Sequence, residues 1–240
     1  MLFPNTDRKS YLRLASIFLL SCVLIACDKE NHTATQGIKI KNYQEARGVF
    51  WRNLYPKTAT SLYCGHQIDS NHRNGYNIEH VFPMSWVSNG LNCGKRKQCR
   101  QSSSVFNQIE ADLHNLFPAK SRINQERSSY RFAEIAGEKR KFGACDFEVD
   151  YYRRSVEPRE EVRGDIARAM FYMADRYKNQ GLVIFERQAK LLIEWHAMDP
   201  PDQAERQRNE RIEQLQGWPN PFIESPELLN TVYKQGNFNR

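Results

Sequence analysis

Between about residue 58 and residue 155 the apolar runs are short, Tyr76 to Phe82 for example, and Asn, Gly, Ser, Pro and charged loops separate them. Runs of that length make strands but not helices with a buried face, so this stretch is expected to be strand and loop with one or two short helices. The flanks read differently. Tyr43, Ala46, Phe50 and Leu54 step by three or four, which predicts an amphipathic helix to about Pro56. Val162, Ile166, Ala169, Met170, Met173 and Tyr177 mark one apolar face of a helix opened by Pro158 and closed near Gly181, and Gln188 to Ala197 predicts another. A last helix is expected with Asp199 as N-cap, Pro200 in the first turn and Gly217 just past the end. With no internal repeat or low-complexity tract, the fold class is α+β, a mixed fold with helices wrapping an irregular middle.

A chain of 240 residues is long enough for one sizeable core. Arg8, Lys9 and Arg13 precede the apolar run Leu14 to Ala26, too short for a comfortable membrane span, so residues 1–27 read as an export signal. Leu24, Ile25, Ala26 and Cys27 resemble a bacterial lipobox, which makes Cys27 the lipidation candidate and gives the chain a membrane anchor. Cys22, preceded by Leu19, Leu20 and Ser21, fits less well. An ordinary cleaved signal, or an uncleaved anchor with Cys27 incidental, is the competing reading. Residues 28–37 are expected to be a tether and residues 38–240 a single catalytic domain, exported to the periplasm or secreted.

Four cysteines then remain, Cys64, Cys93, Cys99 and Cys145, and an even number in an oxidising compartment suggests two disulfides. Three pairings are open; the simplest joins Cys93 to Cys99 and Cys64 to Cys145. A zinc site from Cys64, His66, Cys93 and Cys99 competes, although the spacings are not those of a ribbon or finger. Lysine and arginine total 35 against 28 acidic residues, a net charge of +7, which favours a polyanionic partner, either nucleic acid or an anionic membrane surface. Lys95, Arg96, Lys97 and Arg100 form one basic group, Arg122, Arg127 and Arg131 a second, and Lys139, Arg140 and Lys141 a third; any one alone reads as a solvated loop.

Two clusters in the middle carry chemistry. The first is Asn77, Ile78, Glu79, His80, Val81, Phe82 and Pro83, where a carboxylate and an imidazole are adjacent. A regular strand would point them to opposite faces, so a shared ligand calls for a strand end or a bulge. The second holds Glu110, Asp112, His114 and Asn115, then Asn124 and Arg127 beyond Pro118. Asp112 and His114 alternate like strand residues on one face, Pro118 ends that strand, and Ala119 to Arg127 forms a turn and short helix with Asn124 and Arg127 on one side. Hard oxygen ligands, imidazoles and a cation suit metal-assisted phosphodiester hydrolysis. His66, His72 and His196 read as loop or structural residues.

The segments Asn77 to Pro83 and Glu110 to Pro118, with Asn124 six residues beyond, resemble the periplasmic endonuclease I family. So do Tyr63-Cys64-Gly65, Cys145 to Asp150, Arg163 to Arg168, Gln216-Gly217 and Asn220 to Ile223, so the similarity runs in order over nearly all of residues 43 to 224. The resemblance implies a ββα-metal, or His-Me finger, core of two strands and a helix gripping one divalent ion, Mg2+, with Ca2+ or Mn2+ as substitutes. It implies His80 as general base, Glu79 and Asn124 as metal ligands, Arg96 on the scissile phosphate, Glu110 as an acidic residue beside the site, Asp112 orienting an imidazole or bound water, and His114 and Asn115 as braces. The implied partners are DNA and RNA through the phosphate backbone, cut without sequence preference, and the chain is expected to be a monomer. The chain departs from many relatives in carrying His66 where a second cysteine often follows Gly65, and in lacking cysteines near the C-terminus. A nucleic-acid-binding lipoprotein without catalysis would explain the basic groups but not Glu79, His80 and Asn124; a small-nucleotide phosphoesterase is disfavoured by the absence of a Gly-rich phosphate loop.

Overall fold

The computed structural model describes residues 38–71, 73–137 and 140–233, all within one compact unit. The export signal, Cys27, the tether, His72 and Lys139 lie outside them. Among the described residues no helix is long and apolar enough to cross a membrane.

Helix α1, Tyr43–Val49, starts where the Asn42 side chain accepts a hydrogen bond from Glu45 N, and runs on through one wide π turn, Phe50–Leu54. The expected spacing holds: Ala46, Phe50 and Leu54 are buried. Strands β1, Thr58–Thr60, and β2, Gln67–Asp69, make a small antiparallel ribbon. The central ribbon is β3, Tyr76–His80, paired with β4, Leu116–Lys120. Helices α2, Met84–Gly90, α3, Arg96–Ser102, and α4, Ser104–Glu110, lie between those strands in sequence, and α5, Ser121–Arg127, follows β4 directly. The middle is therefore richer in short helices than the brief apolar runs suggested. The reason is local: α4 is capped by Ser103, whose hydroxyl accepts from Phe106 N, and it buries only Phe106, Ile109 and Glu110.

The expected strand over Asp112 and His114 is not formed. Asp112 caps a single 3-10 turn, Leu113–Asn115, its Oδ1 accepting from His114 N, and the strand begins after that turn. Pro118 lies inside β4 rather than ending it. Its carbonyl points away from β3 and accepts from Leu62 N at 2.8 Å, so the missing N–H costs the ribbon no bond.

Beyond the ribbon, β5, Arg131–Phe132, lies parallel to β7, Ser155–Pro158, which pairs antiparallel with β6, Phe147–Asp150. Helix α6, Arg163–Arg176, is almost wholly buried, and α7, Glu186–Met198, packs along it. Helix α8, Gln203–Gln216, starts later than expected. Its cap is Asp202, which accepts from Glu205 N, while Asp199 reaches back to accept from Gly164 N at 2.8 Å. Gly217 closes α8 at φ +96, as its position foretold. Short helices α9, Pro221–Glu224, and α10, Glu227–Tyr233, finish the described chain.

The central ribbon separates two apolar clusters. Ile78 and Leu116 face a smaller one with Ala46, Phe50, Leu54 and Ile212; Phe117 and Ala119 belong to the main core, which also takes the buried residues of α6 and α7. That alternation follows from the two-residue period of the strand. Two disulfides, Cys64–Cys145 and Cys93–Cys99, take up all four cysteines, which removes the zinc reading. The fold is α+β, and β3, β4 and α5 supply the two strands and a helix.

Candidate active site

A cleft of about 860 Å³ opens along β3, and all five consecutive residues of that strand, Tyr76 to His80, line it. A strand seen face-on would contribute alternate residues only. β3 has β4 on one side alone, so the cleft runs along its other edge, where side chains from both faces reach the same space. No break in the strand occurs: every residue from Tyr76 to His80 is paired with β4. His80 is the last residue of β3, so the strand end that a shared site called for is present, and the cleft runs along the unpaired edge there.

Glu79 is buried, and Tyr63 donates its hydroxyl hydrogen to Glu79 Oε1 at 2.7 Å. Arg127 Nε lies 3.3 Å from the same oxygen as a charge neighbour, without a directed hydrogen bond. Burial pushes the Glu79 carboxyl above its ordinary range, opposed by Arg127 and by the Tyr63 hydrogen bond. Arg127 is itself buried, donates to the Val81 carbonyl at 2.6 Å and stacks 4.8 Å from the Phe132 ring, so it ties the turn after β3 to α5.

His80 is buried beside Tyr43, with ring centroids 5.0 Å apart. Its Nε2 stands 3.0 Å from the Glu110 carbonyl oxygen. A carbonyl only accepts, so the proton sits on Nε2 and Nδ1 carries the lone pair. Burial, with the neighbouring Arg96 charge, lowers the imidazole to about 3, so it is neutral at physiological pH.

Asn124, on α5, donates from Nδ2 to Asn77 Oδ1 at 2.9 Å and to the Ile78 carbonyl at 3.3 Å. With the amide nitrogen held by β3, Oδ1 is the atom left to act as a ligand. Asn77 shares a strand face with Glu79, a relation readable from their two-residue spacing, yet its part in orienting Asn124 was not foreseen.

Arg96 opens α3 within the Cys93–Cys99 loop, is about half exposed and lines the cleft with Lys95 and Arg100. Arg96 and Arg100 both pair with Glu110; Arg100 reaches Oε2 at 2.7 Å and Oε1 at 2.8 Å. Burial alone would push the Glu110 carboxyl up, but the two guanidiniums outweigh it and hold it below its ordinary range. Glu110 is thus a fully buried post that aims two arginines, and its backbone orients His80.

The remaining expected residues stand behind the site. Asn115 accepts from Phe82 N and donates to Phe82 O, which continues the ladder by one step and fixes the turn after His80. Asp112 does not orient an imidazole at the cleft. Its side chain accepts from Tyr172, Tyr177 and Gln216, which binds the 3-10 turn to α6 and α8. His114 Nε2 meets the Trp218 carbonyl at 3.1 Å and packs on Tyr172. Tyr63 and Tyr43 are neighbours of Glu79 and His80 that no local pattern announces, because they arrive from distant elements, whereas Arg100 belongs to the basic group of Arg96. His196 lies on α7 with Nε2 against the Pro226 carbonyl, a structural residue as expected.

A buried neutral imidazole, a carboxylate, an oriented amide oxygen and a row of cations around one cleft define a hydrolase-type site for an anionic substrate. The sequence model of the family described as Endonuclease I matches residues 20–227. A periplasmic deoxyribonuclease of Aeromonas hydrophila is 35% identical over 225 residues, 89% of this chain and 93% of its own. Endonuclease-1 of Buchnera aphidicola subsp. Acyrthosiphon pisum (strain APS) is 30% identical, covering 92% of this chain and 86% of its own. An extracellular ribonuclease of Bacillus subtilis (strain 168) is 30% identical, covering 74% and 62%. The chain belongs to the Endonuclease I family, and so to the nuclease class of hydrolases.

Proposed function

We propose that this chain is an exported endonuclease that hydrolyses phosphodiester bonds of DNA and RNA without reading sequence, with His80 as general base and Mg2+ held by Glu79 and Asn124. The observation that carries this reading is the fixed tautomer of His80, whose Nε2–H is held by the Glu110 carbonyl on the edge of a cleft that Arg96 and Asn124 also line. Relatives named deoxyribonuclease and ribonuclease support both substrates, and their description as periplasmic or extracellular supports export.

The donor set fits a hard divalent cation. Among the described residues no group of three or more His, Cys, Asp or Glu could cage a metal, but one carboxylate and one amide oxygen suit an ion that keeps most of its water. When bound, Mg2+ would offset charge on the phosphate and on the leaving oxygen. His80 Nδ1 takes the proton of the attacking water, Arg96 donates to the phosphate oxygens, and Glu110 keeps Arg96 aimed. Contacts of this kind read the backbone and carry no sequence information.

Plasmid and RNA digestion with EDTA, then Mg2+ add-back, tests the proposal beside His80→Ala and Glu79→Ala. Cutting should stop with EDTA, return with Mg2+, and fall in both variants by at least about 100-fold. Undiminished cutting by the two folded variants would sink it, and shifted but intact DNA in the presence of Mg2+ would favour binding without catalysis. The lipid anchor at Cys27 is a separate proposal, and cells labelled with a palmitate analogue that show no label on this protein would remove it.

A further inference from the structure

The turn joining β6 to β7 is Tyr151-Tyr152-Arg153-Arg154, four exposed residues in a row. Tyr152 is 96% exposed, so its ring gains nothing from the fold. The turn is nonetheless firmly built. Asp150 Oδ1 accepts from Arg153 N at 2.8 Å, and Arg154 takes a φ of +51. Tyr151 lies beneath, its hydroxyl donating to Glu126 of α5 at 2.6 Å and its ring 4.7 Å from Lys141 Nζ. The tip is therefore tied to the same helix that presents Asn124.

The segment that lines the end of the cleft leads to the tip. Ser128 and Ser129 line the rim. The next residue, Tyr130, has the Arg154 guanidinium 5.6 Å over its ring, and Arg131 N donates to the Arg154 carbonyl. Arg154 thus adjoins the segment that follows the cleft-lining serines, and Tyr152 lies two residues before it in the turn.

We propose that this tip is a stacking site for an unpaired base of single-stranded nucleic acid, with Tyr152 as the platform and Arg154, helped by Lys141, on the flanking phosphates. Arg153 contributes less, since Asp150 pairs with it at 3.1 Å. The inference rests on the nuclease reading of the cleft. A duplex offers phosphates and base edges but keeps its base faces stacked; only an unpaired base can lie on a tyrosine ring. The tip therefore favours single-stranded DNA or RNA over duplex at a site whose chemistry does not distinguish them.

The test compares wild type, Tyr152→Ala and Tyr152→Phe on labelled single-stranded oligonucleotides and on a linear duplex. The ratio of kcat/KM for single strand to that for duplex should fall about tenfold in Tyr152→Ala, through KM, and recover in Tyr152→Phe. An unchanged ratio would overturn the proposal, as would an equal loss on both substrates. A second readout needs no cleavage: His80→Ala protein should quench the fluorescence of a 2-aminopurine single strand, and His80→Ala combined with Tyr152→Ala should not. If wild type cuts nothing, the nuclease reading fails while quenching still decides the stacking; no quenching by His80→Ala, or equal quenching by both proteins, overturns it.

Discussion

At Asn77 a side chain sets the direction of another, Asn124, which the proposed function makes a metal ligand. Its carbonyl oxygen holds Asn124 Nδ2, and the Ile78 carbonyl holds it too, so the amide of Asn124 cannot flip without losing both bonds. His114 and Asp112 show the opposite case: residues of reactive type whose partners make them braces. Burial lowers the His114 imidazole to about 4, against a favourable Asp112 charge. Its folded value lies below its unfolded value near 6.5, so the unfolded chain binds the extra proton first. The stability associated with the neutral ring is complete above about pH 6.5 and is lost as the pH falls through about 4, a total of about 3 kcal/mol. Urea unfolding across that window should therefore show a shallower acid slope for His114→Gln than for wild type, by about 1.4 kcal/mol per pH unit. Equal slopes would mean that His114 does not stay neutral in the fold.

Elements here are positioned by polar ties as much as by apolar faces. The start of α6 meets the end of α7 through Asp199, whose carboxylate accepts from Gly164 N and whose carbonyl accepts from Arg168. Arg168 in turn makes a two-pronged buried pair with Glu205 of α8. Gly164 permits this approach, because a Cβ there would collide with the Asp199 carbonyl oxygen. Gly164→Ala should cost about 3 kcal/mol and loosen the α6–α7 contact without touching the cleft. Thermal unfolding checks this; a variant as stable as wild type would show that the helices part freely. The use of Asp199 as a tie also explains why α8 starts at Gln203: Asp202 takes over the cap. Periodicity in residues 162 to 177 and 188 to 197 foretold α6 and α7, whereas α2 to α4 were expected only as one or two short helices without positions, because each buries no more than three residues and shows no sustained apolar stripe.

Over the whole molecule the net charge of +7 is expressed at the cleft by Arg47, Lys95, Arg96 and Arg100. If three phosphates are neutralised there, KM for DNA should rise roughly 40-fold between about 50 and about 200 mM salt, while kcat changes little. A KM independent of salt would argue against backbone binding. Much of the architecture was legible from residues alone. The flanking helices follow from apolar spacing, two disulfides from the even cysteine count, their pairing being the simplest of three left open, and the strand Tyr76–His80 from its short bounded run. The motif around Glu79, His80 and Asn124 carried the family. What the sequence could not determine was which polar residues meet. Asp112 and Arg127 have the same side chains whether they face a cleft or a core, and contacts such as Tyr63 with Glu79 or Tyr172 with Asp112 join residues that nothing local relates. Adjacent residues of a strand point apart, so Glu79 and His80 could share a site only at a strand end, at a bulge or along an open edge, and His80 does end β3. Strand pairing is a long-range property, and only the tertiary structure, with β4 on one side of β3 and the cleft along the other, decided that they share one.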